Sequence, residues 1–253
     1  MRLFTLRLYL LISSAIIFSS CEKGHVLKDV LSSGKNNTYK GPQVQVGGGH
    51  AHSFITISHS GVPKELGIVF THGALSELPK TFTTYVLELH KKALEVTPFK
   101  HVALGWSANG HPLPGSFLGP HFDVRFFMMT LEDRLAIPAP PSEKLLKLPP
   151  TGYMPANYSP YVPLAELGMH WTDLSFLPGV TVNHTMILGS YDGQFNFVSP
   201  KATQLFLATG QRVSLSYGQP QLFSKHSYYP TKYNIYKDEK QLHYVTLSDF
   251  VLR

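Results

Sequence analysis

Cysteine is almost missing from this chain. One residue in 253, Cys21, carries a thiol, so no intrachain disulfide can form. Once Cys21 is modified, Cys-ligated zinc and cysteine nucleophiles are excluded as well. Long apolar runs are absent after Cys21, and no stretch of 18 or more residues could serve as a further membrane-crossing helix. Charge is sparse and mixed: 22 Lys and Arg stand against 16 Asp and Glu, a formal +6, with no Lys/Arg run. That leaves no electrostatic footprint for nucleic acid and no polybasic membrane stripe. Phosphate loops are missing too, because Gly47-Gly48-Gly49 is followed by neither Lys-Ser/Thr nor a helix. Gly105-Trp106-Ser107-Ala108-Asn109 lacks the glycine that would complete a nucleophile elbow. Chemistry is left to histidine, carboxylates, tyrosine and serine.

The N-terminus is the most legible part of what is present. Arg2 and Arg7, the apolar run Leu8 to Phe18 and the small residues Ser19-Ser20 before Cys21 make a secretory leader, too short and too early for a spanning helix. The segment resembles the lipobox of bacterial lipoproteins, with Cys21 as the lipidated first residue of the mature chain. The expected organisation is a signal peptide over 1–20, a tether over 21–41 and a single domain over 42–253. Lipid attachment implies the bacterial cell envelope, with the domain facing periplasm or exterior and the membrane as a partner through the lipid alone. Homo-oligomers are compatible with this layout.

Thirteen Tyr, 16 Phe, 19 Pro and 20 Gly point to a mainly antiparallel β fold, sandwich or barrel-like, with a few short helices; α+β is the alternative. Val44 to Val46 and Phe54 to Ile57 predict two strands broken at Gly47 to Gly49, and Gly61-Val62-Pro63 a turn into Leu66 to Thr71. Lys100 to Trp106 predicts a strand. Phe82 to Val96 fits helix or strand and is read as strand. From His121 to Met129 the chain alternates, with Phe122, Val124, Phe126 and Met128 on the core face and His121, Asp123, Arg125 and Phe127 on the other. Thr130 and Asp133 predict a capped helix ended by Pro138. Eight prolines between Pro138 and Pro163 predict a wrapped loop. A hairpin is expected around Tyr191-Asp192-Gly193, then a helix over Lys201 to Leu207 with Ser199-Pro200 as N-cap and N1 and Gly210 as its stop. Tyr233 to Tyr236 and Gln241 to Leu247 predict a C-terminal hairpin.

Gly105 to Pro112, Pro120-His121-Phe122-Asp123, Gly168-Met169-His170-Trp171 and Gly189 to Gly193 together resemble the TTHB210-like proteins, a bacterial family defined as a domain of unknown function. The resemblance runs from about Val44 to about Leu207 and implies that these histidines are patterned. It brings no activity with it. The family pattern continues His-Phe-Asp with a further aromatic and a second histidine, where this chain has Arg125. A glutamate follows Met-His-Trp in the family, where this chain has Leu174 to Pro178. An acidic residue precedes the proline matched by Pro200, where this chain has Ser199.

On a strand, residues i and i+2 share a face at about 6.7 Å, so His121 and Asp123 could chelate one ion, joined by His111 and His170 from loops. Such a set suits Zn, Mn or Fe and would permit metal-assisted hydrolysis or oxygen chemistry. Arg125 opposes it, being a fixed cation better placed to pair with Asp123. His50-Ala51-His52 is a weaker i, i+2 pair. Tyr228, Tyr229, Tyr233, Tyr236 and Tyr244 could stack on a ligand or fill a partner interface, although cross-strand pairing explains them equally. The favoured reading is a non-enzymatic envelope or surface protein with a binding or structural role, and the alternative is a metal-dependent enzyme, hydrolase or oxygenase, using the His/Asp set.

Overall fold

The structure, a computed structural model, describes residues 36–110, 117, 119–175 and 182–253. The leader, Cys21 and His111 lie outside the described residues. Alternating apolar positions build two antiparallel sheets. The first is made of β1 (Asn37–Val46), β2 (Gly49–Ile57), β3 (Pro63–Phe70), β11 (Val213–Ser216), β12 (Tyr228–Lys237) and β13 (His243–Leu252), in the order β1-β2-β3-β13-β12-β11. The second contains β4 (Thr83–Glu88), β5 (His101–Ser107), β6 (His121–Phe127), β7 (Tyr158–Leu164), β8 (Gly168–Asp173), β9 (His184–Tyr191) and β10 (Gln194–Thr203), in the order β4-β5-β6-β10-β9-β8-β7. The expected antiparallel β fold with short helices is what forms.

The sheets share one core. Ile55, Leu66, Ile68, Val245 and Leu247 from the first meet Val102, Leu104, Val124, Phe126 and Leu188 from the second. Phe70 and Phe122 bridge the layers at 5.4 Å between ring centroids. Short helices close the gaps: α1 (Lys91–Val96), α2 (Leu131–Leu135), α3 (Glu143–Leu146) and α4 (Gln204–Thr209). Among the described residues no helix is long and apolar enough to cross a membrane, which says nothing of β-barrels. The described residues form one unit.

Several boundaries differ from the sequence reading. β1 starts at Asn37, inside the expected tether, because residues 37–40 pair with Phe54 to Ile57 of β2. Lys91–Val96 is helical, since His90 Nδ1 accepts a hydrogen bond from the Lys92 N–H and caps the turn. The proline-rich stretch holds α3 and an edge strand, β7, where Pro160 and Pro163 are tolerated because an edge needs fewer donors. The expected helix start at Ser199-Pro200 is overridden. β10 runs on to Thr203, whose Oγ1 accepts from the Phe206 N–H 3.1 Å away and caps α4. Gly210, in the left-handed region, ends that helix as expected. The β9–β10 hairpin forms with Asp192 and Gly193 both at positive φ. Thr130 caps α2 through the Asp133 N–H.

Candidate functional site

A two-layer sandwich ordinarily gives the outer face of each sheet to water. On the second sheet that face is buried. Its polar residues include His101 of β5, stacked on Phe127, His121, Asp123 and Arg125 of β6, Ser199 and Lys201 of β10, Thr185 of β9 and His170 of β8, none more than 8% exposed. The register explains their proximity. β6 and β10 pair without a shift from Phe127–Phe197 to His121–Thr203, which sets Asp123 opposite Lys201 and Ser199 beside Arg125. Thr185 lies opposite Lys201 on the other side of β10.

Asp123 is the centre of the group. Its Oδ2 is 3.1 Å from Arg125 Nη2 and its Oδ1 3.2 Å from Lys201 Nζ, with His121 Nε2 3.7 Å from Oδ2. Burial alone would raise the Asp123 carboxyl, but Arg125 first and Lys201 next hold it well below the usual carboxylate range. Lys201 is also lowered, because burial and Arg125 together outweigh the help from Asp123.

The histidines are held neutral. Burial pushes His170 down to about 3, with Arg125 adding to the effect. Its Nδ1 lies 3.3 Å from the Gly168 carbonyl, and its ring meets Phe197 edge-on. His121 is lowered chiefly by burial, and its Nδ1 is 2.9 Å from the Gly119 carbonyl. Phe117 closes over this end, packing on the His121 ring and standing 4.8 Å from Lys201 Nζ. At the other end Leu167, Phe127, Phe197 and Ala103 form a small apolar cluster.

Two glycines make room for this layer. A Cβ on Gly105 would come within 2.6 Å of Arg125 Nη1, and one on Gly189 would strike the Phe197 ring. Several donors nevertheless find nothing to bond. Arg125 Nε and Nη1, Ser199 Oγ and Thr185 Oγ1 are buried without a hydrogen-bond partner among the described residues, each at a cost of about 1–3 kcal/mol if nothing else reaches it.

Of the four sequence-predicted metal ligands, the sheet brings His121, Asp123 and His170 onto one face, while His111 lies outside the described residues. Among the described residues no group of three or more His, Cys, Asp or Glu side chains is placed to hold a metal ion. A divalent ion would have to displace Arg125 or Lys201 to reach Asp123. His50 and His52 sit on β2 beside β1, one exposed and one half-buried, with Ala51 turned into the core. Among the tyrosines, Tyr229 and Tyr233 are buried, and Tyr236 stacks on Tyr244 at 4.7 Å across the β12–β13 pair. Core and cross-strand packing therefore account for these four. Lys201, Ser199 and Thr185 escaped the sequence reading as site residues; β10 also carries Gln194, Asn196, Ser199 and Thr203, so its composition does not set Lys201 apart.

Comparison with known proteins returns nothing: no family model, no curated protein and no solved structure is significantly similar to the chain.

Proposed function

We propose that the chain is a lipid-anchored envelope protein, tethered through Cys21, whose β domain is a non-enzymatic binding module with its ligand contact on the outer face of the second sheet. One observation supports the binding site above all: a sheet face buried around Asp123, Arg125 and Lys201 holds polar groups that the described residues do not satisfy. A layer serving packing alone is more stable when apolar, because replacing buried ion pairs with hydrophobic residues is often neutral or stabilising. The anchor rests on the leader and Cys21, and kinship with the TTHB210-like proteins rests on the motif fragments alone.

Two experiments test this. Cys21→Ala should move the protein from membrane to soluble fraction and abolish labelling by a radioactive fatty acid; persistent membrane association would end the lipoprotein reading. Native mass spectrometry of the full chain released from envelopes should show a bound small molecule that disappears in Arg125→Gln. One Zn, Mn or Fe per chain by elemental analysis, lost in His121→Ala, would replace this reading with the metal-dependent one.

A further inference from the structure

The chemistry of the cluster identifies what it would bind. A guanidinium has five N–H bonds. In Arg125 only Nη2 faces the Asp123 carboxylate, while the N–H bonds of Nε and Nη1 have no acceptor among the described residues although the side chain is 4% exposed. Ser199 Oγ, beside Arg125 in the β6–β10 register, and Thr185 Oγ1, opposite Lys201, are buried on the same face without a partner among the described residues. Neutral His170, whose Nδ1 faces the Gly168 carbonyl, leaves Nε2 as an unpartnered acceptor among the described residues, whereas the guanidinium of Arg125 can only donate. Among the described residues the group holds two cations, Arg125 and Lys201, and one carboxylate, Asp123.

We infer that this cluster binds the carboxylate of a small organic acid, with Arg125 as its principal contact and Lys201 and Ser199 beside it. The inference rests on the binding reading above and deepens it. A single negative charge brings the group to neutrality, where a phosphate dianion would overshoot and a neutral polyol would leave the surplus cation buried. Arginine is the side chain best matched to a carboxylate in a dry site. Gly105 keeps space for the guanidinium in place.

The rest of the acid is apolar. Phe117 packs over Lys201 and His121. At that end of the strands a mostly apolar cleft of about 520 Å³ opens, lined by Leu75, Pro120, Leu205 and Ala208 with His72 and Gln204 among its polar members. Pro120 precedes His121, and Thr203 pairs with His121 across the ladder. The head of the cleft and the cationic cluster thus share two strand ends.

Calorimetric titration of the full chain carrying Cys21→Ala, at neutral pH, tests this with sodium acetate, benzoate, octanoate, sulfate and phosphate. Benzoate and octanoate should bind with one site per chain and more tightly than acetate, with sulfate and phosphate weaker. Ser199→Ala and Arg125→Gln should each weaken binding by about tenfold or more. Arg125→Gln disturbs an ion pair, so Ser199→Ala, which removes a hydroxyl bonded to nothing described, carries the test if the former fails to fold. Equal or preferred binding of sulfate or phosphate overturns the carboxylate assignment. Binding that survives Ser199→Ala with full affinity overturns the location. Absence of binding by every acid overturns the inference. If native mass spectrometry still finds a neutral ligand lost in Arg125→Gln, the binding reading survives that failure; if it finds none, both fall.

Discussion

Lys201 and Asp123 face each other across the β6–β10 ladder with 3.2 Å between Nζ and Oδ1, at exposures of 6% and 3%. Arg125 holds the other oxygen. Breaking such a group leaves uncompensated charge in a dry layer, so Asp123→Asn should destabilise the domain by about 3–5 kcal/mol. Lys201→Met should cost less, because Arg125 still pairs with Asp123. Urea unfolding of the three proteins checks this. A loss below about 1 kcal/mol for Asp123→Asn would mean that the group is solvated as a surface pair is.

Gly189 lies directly under the Phe197 ring. Gly189→Ala must push that ring out of the apolar cluster it shares with Phe127 and Leu167, at a cost of about 1–3 kcal/mol. Gly119→Ala, with no described residue within 4 Å of the added carbon, should stay within about 0.5 kcal/mol. Thermal melts that place the two variants together would refute the packing argument.

Acid should weaken the fold before its carboxylates titrate. Burial lowers His170 to about 3, and burial with Arg134 lowers His101 to about 4, both from an ordinary 6.5. Between those values the unfolded chain binds more protons than the folded one, so stability rises with pH there and falls as pH drops through that window. Asp123, held low by its cations, contributes stability that is present above its ordinary 3.8 and is lost only below it. Urea midpoints from pH 8 to pH 4 should be level above about 7, then decline with an uptake on unfolding of about two protons from His101 and His170, to which the lowered His52, His121, His184 and His243 add. A profile level down to pH 5 would contradict the neutral histidines.

The corrected start of α4 predicts that Thr203→Ala costs about 1 kcal/mol. Ser199→Ala should leave stability nearly unchanged, since Ser199 lies mid-strand and caps nothing. Equal losses by urea titration would place the cap back at Ser199.

How much of this could be read in advance depends on the range of the interaction concerned. Asp192-Gly193 and Thr130-Asp133 act within a few residues, and both features were legible. Ser199-Pro200 is a sound local helix start that loses to long-range pairing, since Lys201 lies opposite Asp123, 78 positions away in the chain. Alternation along β6 separated its two faces correctly and identified Arg125 as the partner of Asp123. It could not show that the polar face is buried too, because alternation carries no record of what covers a sheet. Lys201 went unnoticed for the same reason.

β7 has a bearing on how copies of this domain tolerate one another. As an outer strand of the second sheet it could template a further strand, yet Pro160 and Pro163 deny donors to any newcomer, and the register slip between Pro160 and Val162 bends the line a newcomer would have to follow. Growth of the sheet stops there by composition, so crowding the domain to high local density should not zip neighbours together along that margin.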